Sequence, residues 1–197
     1  MMKRVFLRLA GALALWTCLL PAHAAVFGSL LPGQSKIGFV SKQMGVPVSG
    51  QFRRFSGQFV FDPARPEAGK ARIEVELASI DAGSGEANEE AVGKDWFHVK
   101  SFPGAVFEMR RVKPLGGNRF EVQGSLTIKG RSRDVTASVT FRENGGNGIF
   151  EGGFILKRLD FGIGEGPWGD PGTVADEVQV NWTLTLRPVP APVPAKK

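Results

Sequence analysis

The chain has few residues of the types on which most enzymes and metal sites depend. Among its 197 residues there are no tyrosines, one cysteine and two histidines. Cys18 and His23 lie in an N-terminal segment that we expect to be removed, so His98 would be the only histidine left. Such a chain has no thiol pair for a disulfide and too few ligands for a typical zinc or iron site.

The same scarcity limits catalysis. A hydrolytic triad would depend on His98, and no Gly-x-Ser-x-Gly elbow is present to hold a nucleophilic serine. We interpret His98 as a polar residue beside the aromatic pair Trp96 and Phe97. The glycines of residues 162–166 lack the strand and helix that flank a phosphate-binding loop. We predict no catalytic residue, metal or cofactor. Carboxylates are plentiful, however, so an enzyme that acts on a lipid or sugar with paired acids stays an alternative.

Residues 1–24 have the pattern of an export signal. They combine a basic start, an apolar run and a small-x-small cleavage motif: Lys3, Arg4 and Arg8, then residues 9–20, then Ala22-His23-Ala24. The run is shorter than the ~20 apolar residues of a membrane span. We therefore expect cleavage after Ala24 and a periplasmic or secreted protein that does not span the membrane. The formal charge of +6 falls to +3 without those three cations, which is too mild to indicate nucleic-acid binding.

Residues 120–141 give the clearest structural signal. Up to Ile128, apolar and polar residues alternate strictly, and the alternation resumes from Asp134 to Phe141. A period of two predicts strands with one dry and one wet face. Gly130, between Lys129 and Arg131, supplies the reversal because glycine tolerates positive φ. The stretch predicts an antiparallel hairpin whose dry face must be covered.

Similar alternation predicts strands along most of the remaining chain, at residues 35–41, 46–52, 55–61, 70–79, 105–112, 149–157 and 177–187. Residues 81–100 break the period, and their acidic Asn88-Glu89-Glu90 predicts the start of a short helix. Residues 162–172 predict a loop that forms a flexible lip or a set of tight turns. Residues 188–197 are proline-rich and predict an extended, disordered tail.

Eight or nine antiparallel strands in sequence order predict an all-β fold. Closure into an up-and-down barrel removes exposed sheet edges, and a two-sheet sandwich is the main competitor. The predicted domains are the signal (1–24), the barrel (25–187) and the tail (188–197). A barrel of this size either just fills with side chains or holds one small ligand. Fifteen phenylalanines and four tryptophans suit either case. Inward-facing Gly50, Gly57 and Gly124 would leave room beside the aromatics.

Several ordered motifs go further and resemble the YceI-like family over residues 35–186. They are Ser35-Lys36-Ile37-Gly38-Phe39, Val48-Ser49-Gly50-Gln51-Phe52, Phe55-Ser56-Gly57, Phe61-Asp62, Ser79-Ile80-Asp81, Trp96-Phe97, Phe102-Pro103-Gly104-Ala105-Val106-Phe107, residues 124–130 and residues 158–163. The resemblance implies an exported, elongated lipocalin-like barrel that binds a polyisoprenoid or another long-chain amphiphile, with no catalytic residues or metal. Ala82, the acidic stretch 83–92 and Trp96 depart from the family pattern, which leaves the ligand's head group open.

The sequence therefore predicts a carrier that buries an isoprenoid-type or fatty-acid-like lipid without a cofactor. The candidate lining residues share apolar, inward parity: Phe39, Phe52, Phe59, Val75, Phe107, Val122, Leu126, Val139, Phe154, Trp182 and Leu184. Lys157, Arg158 and Asp160 could contact a polar head group, or could form a structural salt bridge instead. The alternative to a carrier or an enzyme is a packed barrel that acts through its surface as a partner of a membrane redox protein. Whether the protein is a monomer or a homodimer is left open.

Overall fold

In the computed structural model, which describes residues 25–190, eleven strands form one antiparallel sheet. The strands are β1 (Val26–Leu30), β2 (Lys36–Gln43), β3 (Val46–Phe52), β4 (Phe55–Val60), β5 (Lys70–Glu76), β6 (Ile80–Asp81), β7 (Gly104–Gly116), β8 (Arg119–Ile128), β9 (Arg131–Asn144), β10 (Asn147–Lys157) and β11 (Glu177–Val189). Between β6 and β7 lies the helix α1 (Gly85–Val92), and single 3-10 turns occupy Pro32–Gln34, Pro66–Ala68, Leu77–Ser79, Arg158–Phe161 and Gly166–Trp168.

The sheet runs in the order β4-β5-β7-β8-β9-β10-β11-β2-β3-β6, and β1 pairs with β11. At one end β1 also meets the far edge of the sheet, because Phe27 and Phe61 exchange two backbone hydrogen bonds of 2.8 and 3.0 Å. At the other edge β3 pairs with β6, and the Arg53 amide donates to the Ser79 carbonyl. The sheet is thereby curled into the predicted up-and-down, lipocalin-like barrel. The eleven strands within residues 25–190 form one continuous sheet, so the sandwich alternative is wrong.

The hairpin predicted around Gly130 is confirmed. Strands β8 and β9 pair continuously from Arg119 and Thr140 to Ile128 and Arg131. Lys129 and Gly130 form the two-residue turn with φ of 50° and 71°, the left-handed conformations of a type I′ hairpin. The dry face also agrees with the alternation, since the apolar side chains of both strands are buried or half-buried.

Several strand ends differ from the sequence predictions by a few residues, such as β5, which ends at Glu76, and β7, which continues to Gly116. Three further differences concern the helix and the ends of the barrel. Helix α1 begins at Gly85 rather than Asn88, because Ser84 caps it by accepting a hydrogen bond from the Ala87 amide at 3.1 Å. The helix ends at Val92, before the aromatic pair. Strand β1 was not predicted, since its residues lack a regular alternation.

The third difference concerns the C-terminal boundary. Strand β11 continues through Pro188 and Val189, which were assigned to the disordered tail, because Phe27 and Val26 of β1 pair with them. The barrel thus extends two residues beyond the predicted end of its domain. The predicted signal (1–24) and residues 191–197 of the predicted tail lie outside the described residues.

The barrel is packed more tightly at its β1 end than at its α1 end. At the β1 end Phe61 contacts Phe120, Phe141 and Phe150, with ring centroids 4.9–5.6 Å apart. A second buried cluster, around Leu77, lies closer to α1. No helix within residues 25–190 has the length and hydropathy to cross a membrane.

Candidate functional site

The barrel interior contains two adjoining cavities. The larger, of about 730 Å³, opens beside α1, and the smaller, of about 170 Å³, lies toward the β1 end. Five residues line both and form a waist between them: Ile37, Val75, Leu126, Phe154 and Val180. The larger volume falls within the roughly 300–1,000 Å³ of small-molecule sites in proteins. The interior is therefore hollow at the α1 end and nearly filled at the other.

All eleven predicted lining residues lie on the wall of at least one cavity. Phe39 and Phe52 line the large cavity; Val75, Leu126 and Phe154 line both; and Phe59, Phe107, Val122, Val139, Trp182 and Leu184 line the small cavity. These side chains share the inner face because the pleat sends alternate residues of a strand inward. Their contact with a lipid stays a prediction.

The sequence suggested that the inward-facing glycines leave room beside the aromatic residues. This prediction is wrong, because aromatic rings fill the space above them. A methyl group added at Gly124 would lie 2.5 Å from the Phe107 ring, and one at Gly152 would lie 2.6 Å from the Trp182 ring. At Gly50 and Gly57 the rings of Phe39 and Phe59 cover the backbone in the same way. Each of these rings lines a cavity and none of these glycines does. The glycines let the aromatic rings lie flat against the wall.

Arg158 organises the loop that closes the barrel beside the large cavity. The side chain is only 1% exposed and donates all five of its N–H groups to backbone carbonyls. Nε donates to Ala175 at 3.1 Å, while the two terminal nitrogens donate to Ile163, Gly164, Trp168 and Val174 at 2.7–2.8 Å. Residues 162–175 are thus held by one guanidinium. The loop forms tight turns rather than a flexible lip.

The loop is also tied to the β8–β9 turn. Lys129 Nζ donates to the Gly162 carbonyl at 2.6 Å and lies 3.2 Å from the Glu165 carboxylate. Hydrogen bonding from Lys129 lowers the pKa of Glu165, and Arg131 adds to the effect. This ion pair is partly exposed, so it fixes geometry more than it adds stability.

The predicted head-group cluster is not assembled as one site. Every N–H of Arg158 has a carbonyl partner, and burial lowers its pKa while the Asp176 carboxylate acts in the opposite direction. Lys157 and Asp160 are exposed and line neither cavity. Within residues 25–190 none of the three forms a salt bridge with another, so the structural ion pair predicted as their alternative role is wrong. Arg158 instead has a structural role through backbone carbonyls.

The sequence predictions missed the entrance to the large cavity. We call its exposed lining residues the rim: Gln43, Gly83, Ser84, Glu86 and Glu90. Four of these come from α1 and the residues just before it. The spacing of Glu86 and Glu90, four residues apart, puts both on one helix face and could have indicated the rim once the helix was placed correctly.

Two tryptophans lie just inside the rim. The Trp168 indole N–H donates to a Glu90 carboxylate oxygen at 2.8 Å, and its ring centroid is 5.7 Å from that of Trp96. Trp96 in turn lies under the Arg158 guanidinium, 6.0 Å away. The Trp96 Nε1 atom is buried and has no hydrogen-bond partner within residues 25–190. These contacts join helix α1 to the loop that Arg158 holds.

The part of the chain that the structure describes contains no group of three or more His, Cys, Asp or Glu side chains placed to hold a metal ion. His98 lies outside both cavities and contacts Ser101, with 3.1 Å between Nε2 and Oγ.

Comparisons with known proteins agree with this architecture. A family model described as the YceI-like domain matches residues 29–186. A UPF0312 protein from Azotobacter vinelandii is 33% identical over 180 residues, which cover 86% of this chain and 92% of the relative. The crystal structure of Burkholderia cenocepacia BcnA matches with a TM-score of 0.78 and 43% identity, and the match covers 80% of this chain and 99% of BcnA.

A more distant structure shares the fold. The polyisoprenoid binding domain from Saccharophagus degradans, implicated in plant cell wall breakdown, matches with a TM-score of 0.67 and 16% identity. The match covers 83% of this chain and 99% of that domain. At such low identity the likeness concerns the arrangement of strands alone.

Proposed function

Because the chain belongs to the YceI-like family, we propose that it is an exported carrier of a polyisoprenoid or another long-chain amphiphilic lipid. The observation that carries the proposal is the large cavity of about 730 Å³, which opens at the rim and adjoins the small cavity at the waist. A polyisoprenoid binding domain from Saccharophagus degradans shares this fold, which supports the class of ligand proposed.

The mechanism would be burial of the tail without chemistry. Each CH₂ removed from water contributes about 0.8 kcal/mol, so about ten carbons supply about 8 kcal/mol before the costs of ordering and association. The aromatic cluster around Phe61 fills the β1 end, so the end of the tail would stop at the small cavity. The head group would remain at the rim, where the exposed lining residues lie.

Export is part of the proposal and depends on residues 1–24 alone. N-terminal sequencing of protein recovered from the periplasm or the medium should begin Ala25-Val26-Phe27. Recovery of the uncleaved chain from the membrane fraction would contradict an exported carrier.

The lipid itself is tested at the waist. Leu126 lines both cavities and is buried, whereas the adjacent Thr127 points outward and its hydroxyl lies 2.7 Å from that of Ser132. Leu126→Trp should fold and lose bound lipid, because the indole would occupy the waist. Thr127→Trp is the matched control and should keep its lipid, since an open strand face tolerates aromatic residues.

The measurement is mass spectrometry of the organic extract of each purified protein, with chemical denaturation in parallel. Equal loss of lipid from both variants would contradict the assigned faces. A wild-type protein that never contains lipid, together with a Leu126→Trp variant that is destabilised by the typical 1–3 kcal/mol of an overpacked core, would overturn the carrier proposal.

A further inference from the structure

We propose that the rim selects an uncharged, hydrogen-bond-donating head group, such as an alcohol, and disfavours a phosphorylated one. This inference rests on the proposed lipid carrier and specifies its ligand. It begins from the ionisable side chains that line the large cavity, which are Glu86, Glu90 and Arg158. Two of the three are carboxylates, and both lie on the exposed rim where a head group would be held.

Arg158 offers nothing to a phosphate. Its five N–H groups already donate to five carbonyls, and its side chain is 1% exposed. Phosphate sites in proteins typically present free Arg or Lys donors to the anion. To reach Arg158, a phosphate would have to displace carbonyls that hold the whole 162–175 loop. The described wall of the large cavity therefore contains no cation that is available to an anionic head group.

The N-terminus of α1 is a feature of the rim that would attract an anion. It carries roughly half a positive charge. However, Ser84 already caps it, and the side chain of Glu86 lies in its first turn. Two full negative charges on Glu86 and Glu90 therefore outweigh the helix end. These two carboxylates repel a phosphate held at the rim.

A hydroxyl group, in contrast, can donate a hydrogen bond to these carboxylates. The Glu90 carboxylate accepts one hydrogen bond, from Trp168, and a carboxylate can accept about four. A prenol hydroxyl at the rim would donate to Glu90 or Glu86 while its tail enters the cavity. The indole contact keeps Glu90 in place at the entrance, so this acceptor is positioned before the ligand arrives.

The test compares two ligands that share one tail, geranylgeraniol and geranylgeranyl phosphate, on delipidated mature protein. Dissociation constants would be measured from the change in tryptophan fluorescence at low ionic strength. The alcohol should bind about tenfold or more tightly than the phosphate, as expected for like charges separated by a few ångströms near a protein surface. In Glu86→Gln/Glu90→Gln protein the ratio should fall at least severalfold, through tighter binding of the phosphate.

Glu89→Gln is the matched control, because Glu89 lies on the same helix but lines neither cavity. It should leave the ratio close to that of the wild type. Equal or tighter binding of the phosphate by the wild type would overturn the inference, and so would a ratio that the double substitution does not change. If neither ligand binds at all, the carrier function itself fails.

Discussion

Arg158 provides a test of how the structure is held together. Its replacement by methionine removes five hydrogen bonds but keeps most of the aliphatic volume of the side chain. The lost partners are the carbonyls of residues 163, 164, 168, 174 and 175, all within the loop that closes the barrel beside the large cavity. Within residues 25–190, no other side chain donates as many hydrogen bonds to the carbonyls of this loop.

The magnitude follows from the burial of these groups. A hydrogen bond to a charged group contributes about 1.5–3 kcal/mol, and a buried carbonyl left without a partner costs about 1–3 kcal/mol. Simple addition over five bonds overestimates the loss, because the loop can detach and expose its carbonyls to water. We therefore expect Arg158→Met to lower the free energy of unfolding by about 3–5 kcal/mol, the upper range for a single substitution, because it breaks a buried hydrogen-bond network. That is a large share of a typical domain stability of about 5–15 kcal/mol.

Urea denaturation monitored by tryptophan fluorescence would measure the change. Lys157→Met is the control, since Lys157 is the exposed neighbour and should shift stability by no more than about 0.5 kcal/mol. Arg158→Lys should recover little, because one ammonium cannot reach five carbonyls in a fixed plane. Native hydrogen exchange should locate the damage in residues 162–175. A loss below about 1 kcal/mol in Arg158→Met, with the loop still protected, would refute the reasoning.

Three further predictions concern other parts of the molecule. His98→Asn protein treated with a chelator should retain both its bound lipid and its melting temperature, because asparagine tolerates the φ of 50° at this position. Loss of lipid from the organic extract would favour an enzyme or a metal site. The lowered pKa of Glu165 means that its stabilising contact with Lys129 is complete above the ordinary carboxyl pKa of about 4.3 and is lost as pH falls through the folded-state value. Glu165→Gln should therefore weaken the loss of stability on acidification, measured as urea midpoints from pH 3 to 6, whereas an unchanged pH profile would contradict the assignment. Gly57→Ala should push the Phe59 ring off the wall and into the small cavity, so the tails of the bound lipid should become shorter. An unaltered lipid profile, measured in the organic extract, would contradict a role of this ring in limiting tail length.

The barrel could be predicted from the sequence because a strand's burial pattern is local. Alternation alone gave the inward face of residues 120–141, and the same parity put residues as distant as Phe39 and Leu184 on cavity walls. Strand β1 escaped prediction because its five residues include glycine and serine and depend on β11 and Phe61 for their hydrogen bonds. Local pattern gives no information about such distant partners.

The alternation of apolar and polar residues could not predict the rim of the large cavity or the loop of residues 162–175 beside it. The role of Arg158 depends on carbonyls, which every residue possesses, so no side-chain motif indicates it. Prediction of the rim depends on the correct start of α1. With the helix predicted to begin at Asn88 instead of after the Ser84 cap, Glu86 lies outside it and does not share a helix face with Glu90. Cavity volume was equally hidden, because it depends on the rotamers of rings such as Phe107.

The rings that lie flat over glycine have an evolutionary consequence. Gly50, Gly57, Gly124 and Gly152 never touch the cavity space, yet each one sets how far an aromatic side chain projects into it. A mutation at one of these glycines would change the range of accepted ligands while every wall residue stays the same. Relatives with identical linings can therefore diverge in specificity, and a comparison restricted to the lining would miss the cause.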